Sequence, residues 1–80
     1  MKRTILVVDD ESNMQAVMRL VLEEAGHVVR VADSGEAALP HLLDPNLDVV
    51  VTDLRMPGMG GDQLIEHLRR ERPDVPVIVV

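Results

Sequence analysis

Three aspartates stand at positions from which their carboxylates could act together. Asp9 and Asp10 directly follow the apolar run 5–8, and Asp53 directly follows the β-branched run 49–52. Such runs are typical of buried parallel strands, and ligands bind at the carboxyl ends of those strands. Converging carboxylates repel one another unless a hard cation lies among them, and Mg²⁺ prefers oxygen ligands. The pattern therefore predicts a Mg²⁺ site with one carboxylate available for chemistry.

Composition limits the classes of protein to which the chain can belong. Eighty residues allow one small domain, and its core must be aliphatic because aromatic residues are absent. A net charge of −6 argues against a nucleic-acid surface, and the absence of cysteine excludes disulfides, thiolate metal sites and cysteine nucleophiles. No apolar run reaches membrane-spanning length and no signal peptide is evident, so we expect a cytoplasmic protein without membrane contact.

The elements that must position the aspartates alternate between strand and helix. Strands are predicted over 4–8, 28–32, 47–52 and 77–80. Right-handed crossovers between them give an α/β fold, a flavodoxin-like open parallel sheet with strand order 2-1-3-4. In this order the first and third strands are neighbours, which brings Asp9, Asp10 and Asp53 together. A single aspartate at a strand end is more often a helix cap, whereas three at matching positions favour a shared site.

Local patterns also predict the ends of the first helix and the face that it buries. Ser12 and Gln15 have the spacing of a capping box, and Gly26 is expected to stop the helix. The apolar residues between these ends follow the i, i+3, i+4 rule and are expected to face the sheet. They are Met14, Val17, Met18, Val21, Leu22 and Ala25.

The second and third helices carry their own signals. Pro40 lies past the first turn of the second helix, over about 36–43, where proline removes a hydrogen bond and clashes with the preceding turn. We therefore expect that helix to be kinked, short or frayed. Asp62 is expected to cap the third helix. Its inward residues are predicted to be Leu64, Ile65 and Leu68.

Two motifs resemble those of response regulator receiver domains in two-component signalling. The first is Val7-Val8-Asp9-Asp10-Glu11, and the second is Val51-Thr52-Asp53-Leu54-Arg55-Met56-Pro57-Gly58-Met59, followed by Gly61. The resemblance covers the whole chain, and the residues around Asp53 are similar to receivers of nitrogen-regulation-type transcriptional activators. An Asp-Asp pair alone would carry little weight, whereas its combination with the second motif is specific.

The resemblance implies a role for each residue of the site. Asp53 would be the phosphoacceptor, taking a phosphoryl group from the histidine of a sensor kinase. Asp9, Asp10 and Asp53 would bind Mg²⁺ together with the main-chain carbonyl of Arg55, and Pro57-Gly58 would shape the loop that returns this carbonyl to the metal. Such a chain is a signalling domain rather than an enzyme, with at most weak self-catalysed phosphorylation and dephosphorylation.

The resemblance also implies elements beyond those found in the sequence. Family receivers carry a Ser or Thr at the end of the fourth strand, then a fourth helix, a fifth strand that ends in Lys, and a fifth helix. None of these falls within residues 1–80. We therefore expect residues 1–80 to be an incomplete receiver domain that lacks its C-terminal third.

Two functions of different classes stay open. The first is a receiver that is phosphorylated at Asp53 by a sensor histidine kinase. The second is a truncated receiver that self-associates as a dimer or larger assembly, without competent phosphorylation; it is favoured by the run 77–80, which is apolar on both faces and has an unshielded edge. A Mg²⁺-dependent phosphatase of the Asp-x-Asp type is disfavoured, because no acid stands two residues after Asp53.

Overall fold

The computed structural model describes residues 2–53, 55 and 58–80, which form one open sheet with helices on both faces. Its parallel strands are β1 (Thr4–Val8), β2 (Val28–Ala32), β3 (Val49–Thr52) and β4 (Val77–Val79). The strand order is β2-β1-β3-β4. The predicted α/β, flavodoxin-like sheet with order 2-1-3-4 is therefore confirmed.

The strand boundaries agree with the sequence to within two residues. β1 and β2 span their predicted ranges, whereas β3 begins at Val49 instead of Leu47 and β4 ends at Val79 instead of Val80. Leu47 is nevertheless buried, and its N–H donates to the carbonyl of Asp44 at 3.2 Å in the turn before the strand. The predicted third strand is therefore two residues too long at its start. Leu47 is buried because it packs in the turn before β3, and it is not part of the strand.

Within the described residues, three α-helices connect the strands: α1 (Ser12–Glu24), α2 (Gly35–Ala38) and α3 (Gly61–Glu71). α2 passes directly into a 3₁₀ segment, Leu39–Leu43, that contains Pro40. The expected short second helix is confirmed, and the tighter 3₁₀ turn carries the chain past the proline. None of these helices has the length and apolar composition that crossing a membrane requires.

The starts of two helices differ from the prediction. Ser12 is the first helical residue of α1 rather than its cap, and the side chain of Gln15 donates to the main-chain carbonyl of Asp9. The predicted capping box is therefore wrong, because Gln15 reaches past the helix to the end of β1. α3 begins after Gly60, which leaves Asp62 in its first turn, where negative charge is favoured by the helix dipole.

The two faces of the sheet are packed to different degrees. We call the side covered by α2, the 3₁₀ segment and α3 the closed face. Its buried core consists of Leu6, Val8, Ala32, Ala38, Leu42, Leu47, Val50, Leu64, Leu68 and Val75. We call the side covered by α1 the open face. Its buried cluster is smaller and consists of Ile5, Val7, Val29 and Val51.

α1 presents much of its apolar stripe to solvent. None of its thirteen residues, all of which are described, is fully buried, and Met18 and Leu22 pack partly against the open-face cluster. The predicted inward orientation is wrong for four residues of the stripe. Val17 and Val21 are 56% and 60% exposed, and Met14 and Ala25 are exposed as well. α1 lies over β1 and β2, so its stripe extends beyond the surface that the sheet offers it.

Candidate metal centre

Strand pairing places two of the aspartates next to each other at the carboxyl edge of the sheet. β1 and β3 are parallel neighbours, and Val8 pairs with Thr52. Asp9 and Asp53 directly follow these two residues. Their N–H groups continue the ladder, because Asp9 donates to the carbonyl of Ala32 at 3.0 Å and Asp53 donates to that of Val8 at 3.2 Å. These backbone hydrogen bonds therefore fix the main-chain positions of Asp9 and Asp53 at this edge of the sheet.

The carboxylates of Asp9, Asp10 and Asp53 form a compact cluster. One carboxylate oxygen from each residue lies within 4.8 Å of those from the other two. Asp9 and Asp53 are half-buried, and Asp10 is exposed. Like charges at this separation repel unless they are neutralised, and carboxylate oxygens are the hard ligands that Mg²⁺ prefers. The residues present therefore fit a hard divalent cation.

Backbone N–H groups orient two of these carboxylates. Asp9 Oδ1 accepts from the N–H of Glu11 at 2.9 Å, and Asp53 Oδ1 accepts from the N–H of Arg55 at 2.9 Å. Both are local turns in which an aspartate binds the backbone two residues further on. Each carboxylate has a second oxygen beyond the one that the turn engages. The turns therefore preorganise the acid cluster without consuming its ligand capacity.

Apolar side chains form the floor beneath the cluster. A shallow pocket between β1, β3 and α1 reaches Asp9 and Asp53. Its apolar lining consists of Val7, Val8, Met14, Met18, Val51 and Val80. Thr52 is fully buried, and its hydroxyl donates to the main-chain carbonyl of Asp53 at 3.1 Å. Because the floor has a low dielectric constant, charges in the cluster interact more strongly than they would in water.

A contact from α2 reaches the loop that follows Asp53. The carboxylate of Glu36 accepts from the N–H of Met59, with its two oxygens 3.3 and 3.4 Å from the nitrogen. Ser34 caps the same short helix by accepting from the N–H of Ala37 at 3.0 Å. The sequence offered no signal for the Glu36–Met59 contact, because its partners are 23 positions apart and belong to different elements.

The structure describes the second motif in part. Arg55, whose carbonyl was predicted as a metal ligand, is exposed, and its N–H binds Asp53. Gly58 has a φ of +73°, a left-handed conformation that suits the predicted turn. The remaining residues of the motif's loop lie outside the described part of the chain; they are Leu54, Met56 and Pro57, the last being a predicted turn residue.

Comparison with protein families identifies the class to which this fold and acid cluster belong. Residues 5–80 match the family model of the response regulator receiver domain. The chain belongs to this family of two-component signalling domains, as its two motifs predicted.

The curated relatives that the chain matches are longer proteins. The chain is 36% identical over 81 residues to the DNA-binding transcriptional regulator NtrC of Salmonella typhimurium, covering 100% of this chain and 17% of NtrC. It is 37% identical over 82 residues to the phosphate regulon transcriptional regulatory protein PhoB of Escherichia coli, covering 100% of this chain and 36% of PhoB. Similarity to nitrogen-regulation-type activators is confirmed, and similarity to PhoB is equally high. The chain spans well under half the length of either relative.

Solved structures share the fold over almost the whole chain. The response regulator protein TrrA of Thermotoga maritima, solved in complex with Mg(2+)-BeF, has a TM-score of 0.90 and 35% identity, covering 96% of this chain and 67% of that one. A response regulator receiver protein from Pseudomonas putida has a TM-score of 0.92 and 33% identity, covering 100% of this chain and 68% of that one. The sheet and its flanking helices are therefore those of a receiver domain.

Proposed function

We propose that Asp53 accepts a phosphoryl group from the phosphohistidine of a sensor histidine kinase, in a reaction that requires Mg²⁺. The observation that carries this proposal is the convergence of Asp53 with Asp9 and Asp10, whose carboxylate oxygens lie within 4.8 Å of one another. Membership of the receiver family supports it, because receivers act in two-component signalling.

The transfer needs one nucleophilic oxygen and little further covalent chemistry. A carboxylate oxygen of Asp53 attacks the phosphorus, and the new P–O bond forms as the P–N bond to the kinase imidazole breaks. The imidazole leaves with the electron pair of that bond and then takes up a proton. The N–H of Arg55 holds the attacking carboxylate in one orientation, which contributes positioning, the main element of catalysis in phosphoryl transfer.

The acid cluster would hold the metal. We propose that Asp9, Asp10 and Asp53 bind Mg²⁺ together with the main-chain carbonyl of Arg55. When bound, Mg²⁺ supplies the positive charge that offsets both the carboxylates and the phosphoryl oxygens. The turns at Asp9 and Asp53 keep two of the ligand carboxylates oriented before binding. Less side-chain entropy is therefore lost when the metal binds.

The phosphoacceptor assignment is tested with acetyl phosphate and Mg²⁺, in the full-length protein. The Asp53→Asn variant is expected to incorporate no phosphate, because an amide lacks the nucleophilic oxygen. Asp48→Asn is the matched control, since Asp48 lies near the opposite edge of the sheet and accepts from the N–H of Thr4 at 2.8 Å. It is expected to be phosphorylated like the parent. Equal incorporation by Asp53→Asn and the parent would show that the acceptor is another residue.

The metal assignment is tested by calorimetric titration with Mg²⁺, because the chain has no aromatic residue whose fluorescence could report binding. Removing the charge of a ligand carboxylate weakens binding, and we expect Asp10→Asn to bind Mg²⁺ at least about tenfold more weakly than the parent. Asp48→Asn again serves as the control for a change of one charge. Unchanged affinity in Asp10→Asn would remove Asp10 from the ligand set.

A second proposal concerns the 80 residues as a separate polypeptide. Several large apolar residues of α1 and of the β4 region are exposed, namely Met14, Val17, Leu20, Val21, Ile78, Val79 and Val80. Because exposed apolar surface and strand edges favour association, we propose that this polypeptide forms dimers or larger assemblies. Sedimentation at micromolar concentration measures its mass. A stable, cooperatively folded species of 8.8 kDa would contradict the proposal.

A further inference from the structure

The loop that follows Asp53 is held at its far end by α2. Glu36 lies in the first turn of α2, and both of its carboxylate oxygens accept from the N–H of Met59. Met59 comes four positions after Arg55, the residue whose carbonyl we propose as a metal ligand. Glu36 is exposed, so burial does not force its side chain into this position. The hydrogen bond is therefore one of the contacts by which α2 meets the loop at this point.

Two glycines show how closely the segments approach. A Cβ at Gly58 would lie 2.8 Å from Oε2 of Glu36, and one at Gly35 would lie 2.8 Å from the carbonyl oxygen of Met59. Both distances are shorter than real Cβ contacts. A side chain at Gly35 would press on the backbone of Met59, whereas one at Gly58 would displace the carboxylate of Glu36 and break its contact. We call Gly35, Glu36, Gly58 and Met59 the α2 clamp. Its members fit only because two of them lack side chains.

We propose that Glu36 is a positioning residue for the metal centre, acting through the α2 clamp. β3 fixes the start of the loop at Asp53, and the clamp fixes its continuation at Gly58 and Met59. Arg55 lies between these two fixed points, so less backbone entropy is lost when its carbonyl takes up its place beside a metal. This inference rests on the proposed function, in which that carbonyl is a ligand.

Mg²⁺ titration of the full-length protein tests the inference. Outer contacts that orient a metal ligand are worth about 10- to 100-fold in affinity, and we expect Glu36→Ala to bind Mg²⁺ about tenfold more weakly. Glu36→Gln keeps an acceptor oxygen and is expected to stay within about twofold of the parent. The control is Glu66→Ala, which removes an equal charge from an exposed position on α3. Equal weakening in Glu36→Ala and Glu66→Ala would reduce the effect to net charge and overturn the inference.

Phosphorylation kinetics give a readout that a merely structural role would not produce. In Glu36→Ala, the Mg²⁺ concentration for half-maximal phosphorylation by acetyl phosphate should rise about tenfold. The rate at saturating Mg²⁺ should stay at the parental value, because Glu36 contacts Met59 rather than the reacting atoms. A lower maximal rate with an unchanged Mg²⁺ requirement would contradict a positioning role.

The failure of this inference is distinguishable from failure of the proposed function. If Asp53→Asn takes up phosphate like the parent, the proposed acceptor is wrong. If Asp53→Asn is inert while Glu36→Ala binds Mg²⁺ as tightly as the parent, the acceptor stands and the positioning role of Glu36 is wrong. Loss of affinity in Glu36→Ala with rescue in Glu36→Gln supports the inference.

Discussion

The closed and open faces of the sheet use the same kinds of aliphatic side chain and reach different degrees of burial. On the closed face, α3 inserts Leu64 and Leu68 until both are essentially inaccessible to solvent. On the open face, α1 leaves Val17 and Val21 of its apolar stripe 56% and 60% exposed, and Leu20 is 62% exposed. An amphipathic pattern therefore does not by itself produce burial. α3 packs against α2 and the 3₁₀ segment, whereas α1 packs on β1 and β2.

Polar contacts reinforce the difference between the faces. Arg72, directly after α3, has a largely buried side chain, and its guanidinium donates to three main-chain carbonyls at 3.0, 2.7 and 3.4 Å, those of Leu42, Asp44 and Leu47. On the open face, Arg19 donates to the carbonyl of Val29 at 3.4 Å and forms an exposed pair with Glu23. On the closed face, one guanidinium therefore joins the end of α3 to three carbonyls between the 3₁₀ segment and β3. On the open face, α1 has one longer hydrogen bond to β2.

The largest expected effect separates the two faces with one type of substitution. Leu64→Ala should lower the free energy of unfolding by about 3 kcal/mol, because it leaves a cavity in the closed-face core. Leu20→Ala should change it by less than about 0.5 kcal/mol, because Leu20 is exposed. Urea denaturation followed by far-ultraviolet circular dichroism measures both. Similar losses in the two variants would show that the open face is as well packed as the closed one.

Arg72 provides an intermediate effect on the closed face. Removing its guanidinium would leave carbonyls of the connection between the 3₁₀ segment and β3 without a donor, so Arg72→Ala should cost about 2 kcal/mol of unfolding free energy. Arg72→Lys should recover only part of this loss, because an ammonium lacks the planar fork. Arg70→Ala, at an exposed position in the last turn of α3, should cost about 0.5 kcal/mol or less. Equal costs for Arg72→Ala and Arg70→Ala would contradict the assigned role.

The smallest expected effect is a pH dependence at the rim of the closed face. The hydrogen bonds from the Arg72 guanidinium lower the pKa of the exposed Asp74 carboxyl, and the backbone N–H of Asp74 adds to the shift. A carboxyl whose pKa is lower in the folded state stabilises the fold at pH values above the pKa that it has in the unfolded chain. That contribution is lost as pH falls through the folded pKa. Because the Asp74 carboxylate is exposed to solvent, the contribution is small.

The corresponding experiment compares Asp74→Asn with the parent across the acid range. The variant should be slightly less stable at neutral pH, and the difference should disappear once the pH is below the lowered pKa of Asp74. Glu66→Gln, at an exposed position in the middle of α3, controls for the loss of a carboxylate elsewhere on the same side of the sheet. A difference between Asp74→Asn and the parent that persists unchanged into strong acid would rule out the ionised carboxylate as its cause.

Local sequence determined the strands and the membership of the acid cluster. The ranges of β1 and β2 were predicted in full, because a short β-branched run between polar residues leaves few alternatives. Pro40 predicted the short α2, since its effect acts on the adjacent turn. The convergence of Asp9 with Asp53 followed from the strand order, which the handedness of the crossovers restricts.

Tertiary structure alone decided what lies beyond local pattern. Periodicity gives the direction of the apolar stripe on α1 but not the width of the surface that faces it, so the exposure of Val17 was not predictable. The side chain of Gln15 donates to the carbonyl of Asp9 at the end of β1 instead of forming a capping box at the start of α1. The Glu36–Met59 contact joins residues 23 positions apart. The sequence by itself therefore determined which residues form the acid cluster, and the packing of distant elements decided how the loop after Asp53 is held, because such contacts form only once both elements occupy their places in the fold.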